Sequence, residues 1–182
     1  MQTAGGINVG GVAGAKLADL AVTEAKLAAQ AVTAAKIAAG AVSLDKLAAD
    51  AADRMNPVVL WDGMALMHAS HKFGLNGSGV RKGTVSGQPH GIVMVFSRYD
   101  NSTGTALNRY WSSFFVPKQA VASAPGTGHC FFSATTDAPA MAKYVYISDT
   151  QVWGCDDNNK QGSYSGITYD NRIWVLRKII GV

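Results

Sequence analysis

Gly166 to Val182 read GITYDNRIWVLRKIIGV, and this stretch decides the class of fold. Two apolar runs, Gly166 to Tyr169 and Ile173 to Ile180, are rich in β-branched and aromatic residues. They flank Asp170-Asn171, a pair whose side chains tolerate positive φ, so the pattern predicts two strands joined by a two-residue hairpin link. Similar runs recur toward the N-terminus at Val58 to Trp61, Ala65 to His68, Gly91 to Ser97, Tyr110 to Val116, His129 to Ser133, Lys143 to Ser148 and Gln151 to Trp153. Clusters of Gly, Asn, Asp, Ser and Pro separate them, and no segment after Pro57 carries a convincing 3.6-residue period. Eight or nine strands in about 125 residues predict a mainly β domain of β-sandwich or jelly-roll type.

A change of composition near Met55 to Pro57 divides the chain into residues 1–56 and 57–182. Aromatic residues are absent before it, whereas all four Trp, six Tyr and six Phe come after it, so the hydrophobic core belongs to the second part. Residues 1–56 carry five basic and five acidic side chains, which leaves the whole net charge of +4 on residues 57–182. That balance is compatible with an anionic partner and equally with a merely basic surface. Adjacent cations occur only as Arg81-Lys82 and Arg177-Lys178, and no zinc-finger, helix-turn-helix or RNA-binding aromatic signature is present, so nucleic acid is not the expected partner. No apolar run approaches the ~20 residues of a membrane span, and no export leader is recognisable. Cys130 and Cys155 do not form the pattern of a small disulfide scaffold and are expected to be free thiols.

The first part is a repeat of ten: GVAGAKLADL, AVTEAKLAAQ, AVTAAKIAAG and AVSLDKLAAD. Lys16, Lys26, Lys36 and Lys46 stand in register, followed by Leu17, Leu27, Ile37 and Leu47 and preceded by Val12, Val22, Val32 and Val42. A unit with one valine and one leucine cannot bury its own apolar face, so it needs neighbours or partner chains. Ten residues over three turns is ~3.3 per turn, below the coiled-coil value of about 3.5, which disfavours one long helix. The expectation is a segmented stalk with one short helix per block, N-capped by Thr23, Thr33 or Ser43 and running through the AKLAA-type core, and three chains packed about an axis.

Between Gly154 and Gly166 the sequence GCDDNNKQGSYSG reads as a long polar loop, of the kind that carries function. Asp156, Asp157, Asn158 and Tyr164 offer hydrogen bonds and an aromatic face suited to a sugar ring. Arg81, Lys82 and Arg109, in two further polar stretches, are second candidates for an anionic polymer. Ile92 to Phe96 and Trp111 to Val116 are apolar on both faces, a second hint of contacts between subunits.

Catalytic signatures are sparse. Residues 57–182 contain no glutamate, and no G-x-S-x-G elbow, P-loop or C-x-x-C is present. His129 and Cys130 are neighbours on a strand and point to opposite faces, a poor dyad. His68 and His71 have a spacing that joins two imidazoles on a helix but not on a strand, and Asp156-Asp157 lacks the calcium-loop spacing. No metal or cofactor is expected.

The AVTxAKLA decads resemble repeats in tail fibres and receptor-binding proteins of tailed bacteriophages and prophages. GIVMVFSRYD (Gly91 to Asp100), YWSSFFVPK (Tyr110 to Lys118), KYVYISDT (Lys143 to Thr150) and GITYDNRIWVLRKIIGV resemble a head domain of such proteins from phages of Gram-positive and gut anaerobic bacteria. The resemblance implies a homotrimeric adhesin of the virion tail, assembled in the host cytoplasm. Its stalk would face other tail or baseplate proteins, and its head a cell-wall or capsular polysaccharide. The alternatives are a tail-associated glycan depolymerase and a structural trimerising cap or connector.

Overall fold

The computed structural model describes residues 19, 21–29, 31–48, 51, 54, 56–77, 83–136 and 138–182. The chain divides into two compact units, Met1–Lys46 and Leu47–Val182.

In the first unit each of three successive decads makes a single 3-10 turn, at Glu24–Lys26, Ala34–Lys36 and Leu44–Lys46. Thr23 and Thr33 hold the extended backbone of an N-cap, but neither hydroxyl makes the capping bond. The turn ends at the lysine, and Leu27 and Ile37 are already extended, so no helix runs through the AKLAA core. The lysine has a different use from the one expected of a helical residue. Its Nζ reaches back five residues and donates to a backbone carbonyl: Lys26 to Ala21 at 2.6 Å, Lys36 to Ala31 at 2.8 Å and Lys46 to Ala41 at 3.1 Å. Each bond closes the link between one turn and the next, which accounts for lysine recurring where any helix former would serve a helix.

The second unit is mainly β. Its strands are β1 (Val58–Ala65), β2 (Lys72–Gly74), β3 (Gly91–Asp100), β4 (Thr105–Ala106), β5 (Ser112–Pro117), β6 (Thr127–Ser133), β7 (Met141–Ile147), β8 (Gln151–Trp153), β9 (Gln161–Tyr164), β10 (Ile167–Asp170) and β11 (Trp174–Gly181). One short helix, α1 (Lys118–Ser123), follows β5. A five-stranded sheet runs β1-β11-β3-β4 with β5 also on β3, a four-stranded sheet runs β2-β8-β7-β6, and β9 and β10 form a separate hairpin. All these pairings are antiparallel. Register shifts in β1 and β11 curl the larger sheet into a half-barrel.

The strand opening at Trp174 therefore does not pair with the one before it. β10 pairs with β9, while β11 lies between β1 and β3. Asp170-Asn171 is not a hairpin link: Asp170 caps a 3-10 turn at Asn171–Ile173, accepting from the Arg172 backbone N–H at 3.0 Å. β11 carries Trp174, Val175, Leu176 and Ile179 with no exposed surface, and only a central position buries that much of one strand. The expected strand Ala65 to His68 is also absent, because β1 ends at Ala65 and Met67 turns the chain with φ of 62°.

The two sheets share a core. Phe96 of β3, Phe114 of β5 and Phe131 of β6 form a triangle with ring centroids 5.3 to 6.0 Å apart, and Trp61 of β1 stacks on Phe73 of β2 at 4.4 Å. β3 is buried at Ile92, Met94 and Phe96 and half-buried at Val93 and Val95, as its unbroken apolar run requires. Among the described residues no helix is long and apolar enough to cross a membrane.

Candidate functional site

The site is built outward from β7. The strand alternates strictly, with Met141, Lys143, Val145 and Ile147 buried and Ala142, Tyr144 and Tyr146 half-exposed on the outer face. β6 pairs along one edge, but on the other edge β8 reaches only Tyr146 and Ile147. The backbone of Ala142 and Tyr144 is completed by two asparagine side chains acting as substitute peptides. Asn171 accepts from the Ala142 N–H at 2.7 Å and donates to its carbonyl at 2.8 Å. Asn158 does the same for Tyr144, at 2.7 and 2.6 Å, and donates also to the Met67 carbonyl at 2.6 Å. Both asparagines are buried, and each leaves no backbone group of its partner unpaired.

Beneath them lies Lys143, 1% exposed, whose Nζ donates to the carbonyls of Leu66 and Asn158. Burial pushes its pKa down to about 7, with Asp170 and Cys155 opposing the shift. Asn158 and Lys143 together fasten the 3-10 turn Asp156–Asn159 to the sheet. That turn lifts Asp157 and Lys160 to the surface, where they pair at 2.6 Å, and the Asp157 hydrogen bond raises the Lys160 pKa.

The expected loop 154–166 is thus partly regular, because Gln161–Tyr164 is strand β9. Ser165 and Gly166 have φ of 49° and 80°, a primed turn that closes the β9–β10 hairpin and pairs Tyr164 with Ile167. Hydrogen bonds from Ala140 to Thr168 and from Asp170 to Ala140 hold the hairpin beside the start of β7. Arg172 grips the Asp170 carboxylate with Nε and a terminal nitrogen, each at 2.9 Å. Burial alone would raise the Asp170 pKa, but the Arg172 bonds and charge outweigh it and hold the carboxyl below its usual range.

Hairpin and sheet border two adjoining open cavities. One, of about 390 Å³, is lined by Phe132, Ala142, Tyr164, Ile167 and Tyr169 and is chiefly apolar. The other, of about 500 Å³, is lined by Tyr144, Asp157, Lys160, Asn171, Cys130, Ala142 and Tyr169. Tyr169 and Ala142 belong to both. Aromatic walls beside a few fixed polar groups are the chemistry of a small-molecule or sugar site.

Of the residues expected from sequence, Tyr164 and Asp157 line these cavities. Tyr164 is 80% exposed at the hairpin tip, and Asp156 is exposed on the neighbouring turn. Asn158 holds the turn from within, its amide fully used, so it positions the site and cannot contact a ligand. Arg109 is exposed in the loop between β4 and β5, 5.8 Å from the centre of the Tyr110 ring, and lines neither cavity. Arg81 and Lys82 lie outside the described residues. Sequence reasoning missed Phe132, Tyr144 and Tyr169. The alternation of MAKYVYI contained the signal for Tyr144, but nothing local brings it to Tyr169.

His68 and His71 meet across a turn, their rings 3.9 Å apart, where a strand would have separated them. Among the described residues no three His, Cys, Asp or Glu side chains gather as metal ligands, and Cys130 and Cys155 are unpaired. No protein-family model, curated protein or solved structure matches the chain.

Proposed function

We propose that the chain is a non-enzymatic receptor-binding protein of a bacteriophage or prophage tail, whose second unit holds a host surface saccharide. The observation that carries this reading is the pair of adjoining cavities that share Tyr169, walled by Phe132, Tyr144 and Tyr164. Aromatic faces take the apolar side of a sugar ring, and Asp157 and Lys160 at the rim take its hydroxyls.

The finer architecture belongs to the same proposal: a β-sandwich or jelly-roll-like head on a homotrimeric repeat stalk, carried on the virion. Two apolar surfaces support a multimer. In the decads Val22, Val32 and Val42 are 53 to 59% exposed, with Leu27 and Ile37 at 48 and 44%. Across the five-stranded sheet Val59, Ile180, Val93 and Phe115 are paired in one row, and its two ends, Val59 and Phe115, are 49 and 53% exposed. Three weak sites on one assembly would bind a surface with avidity raised roughly 10²- to 10⁴-fold.

A glycan array and fluorescent staining of Gram-positive cells test the function, and light scattering tests the assembly. Glycan and cell binding by the purified chain are expected, without release of reducing ends. A chain that stains no cell and retains no glycan would sink the reading.

A further inference from the structure

We infer that the sugar held at this site carries an acetamido group, whose methyl enters the apolar cavity while its amide faces the Asp157–Lys160 pair; this rests on the saccharide reading above. The ligand is then an N-acetylated amino sugar rather than a plain hexose.

The two cavities differ in what they can satisfy. In the smaller, Phe132, Ala142 and Ile167 bring only carbon, and the hydroxyls of Tyr164 and Tyr169 are the only polar side-chain atoms its lining residues possess. A sugar hydroxyl placed there gives up water for little, whereas a methyl group gains by leaving it. Phe132 and Ala142 are cross-strand partners on β6 and β7, so the space opens where a small residue stands opposite a large one. Ala142 and Tyr169 line the larger cavity as well, so one ligand can reach from the first into the second.

The larger cavity has few polar groups to spare. Asn171 already uses its amide on the Ala142 backbone and the Asp157 carbonyl. Asp157 and Lys160 are the charged groups of the lining, paired at 2.6 Å, and they set an acceptor and a donor side by side with no net charge. An amide presents the matching set, N–H for the carboxylate and C=O for the ammonium, and is itself neutral. A free amino sugar or a uronic acid would be attracted by one member of the pair and repelled by the other. A 6-deoxy sugar brings the methyl but no amide.

The test titrates the full chain, followed by NMR, with matched methyl glycosides of the gluco and galacto series in N-acetylated, free-amine and hydroxyl forms, and with methyl fucoside. In the series that binds, the N-acetylated form is expected to bind at least about tenfold more tightly than the other two, the value of a methyl group in an apolar pocket. Phe132→Ala, at a half-exposed position, should remove that preference with an unchanged circular dichroism spectrum. Ala142→Leu, which fills the apolar cavity, should do the same. Equal binding of the hydroxyl form would overturn the acetamido class and leave the saccharide reading standing, as would tighter binding of the free amine or of methyl fucoside. Glycan-array binding confined to glycans without N-acetylated sugars would overturn it too. Binding of no glycan on the array, together with unstained cells, would remove the saccharide reading itself and this inference with it.

Discussion

The outer faces of the two sheets are both apolar, yet they are made differently. The five-stranded sheet carries the row Val59, Ile180, Val93 and Phe115, with Phe115 half out in solvent. The four-stranded sheet carries Phe132, Tyr144, Tyr146 and Trp153, with Gly128 beneath Tyr144 and a charged, hydrogen-bonded turn at its margin. Aliphatic rows gain mainly by losing water over a broad area, which suits a flat partner such as another subunit. Aromatic rings with hydroxyls and ion pairs at the rim can hold a polar, flat-faced molecule that stays partly wet. The same β scaffold thus offers one surface suited to association and another suited to recognition.

The sharpest way to break this division is to cut the anchor of the recognition face. Asn158→Ala strands the Tyr144 backbone groups and removes one of the two donors to the Met67 carbonyl, and should cost about 3 kcal/mol in urea denaturation while releasing the Asp156–Asn159 turn. Next comes Tyr169→Ala, for which titration should give a loss of roughly 10- to 100-fold in glycan affinity with the oligomer intact on light scattering. Phe115→Asp should do the reverse, lowering the scattering mass while each site keeps its affinity. Both faces would be one surface if the two variants had the same effects.

A pH-dependent effect lies beneath the recognition face. Lys143 has a folded pKa of about 7 against 10.5 unfolded, so between those values the unfolded chain holds a proton that the folded chain lacks. Stability should therefore rise with pH from about 7 to about 10.5, by at most about 1.4 kcal/mol per pH unit, with the full penalty present below pH 7. Thermal melts across that window should show the rise, and Lys143→Met should flatten it. Asp156→Ala, on the exposed side of the same turn, should shift stability by less than about 0.5 kcal/mol.

The contrast between Asn158 and Tyr164 explains how much of the site was legible. Both stand in one polar stretch, and composition treats them alike. Tyr164 faces outward because a primed turn at Ser165-Gly166 puts it at a hairpin tip, a local matter that glycine and serine spacing can announce. Asn158 faces inward because β7 lacks a strand along part of one edge, a fact about residues fourteen positions away in the chain. Its burial could not be read from its neighbours.

By itself the sequence determined the periodicities. Alternation in MAKYVYI set which side of β7 is buried, the decad set one turn in each of the three described blocks, and the aromatic boundary set where the core lies. These are properties of consecutive residues and need no knowledge of partners. Tertiary structure alone decided the pairing of GITYDNRIWVLRKIIGV: Ile167–Asp170 joined β9, and Trp174–Gly181 went between β1 and β3. A hairpin at Asp170-Asn171 would have been the shorter closure, but burying Trp174, Leu176 and Ile179 between two strands outweighs the added loop entropy, which grows only slowly with length. That choice freed Asn171 to complete β7 and Tyr169 to wall both cavities.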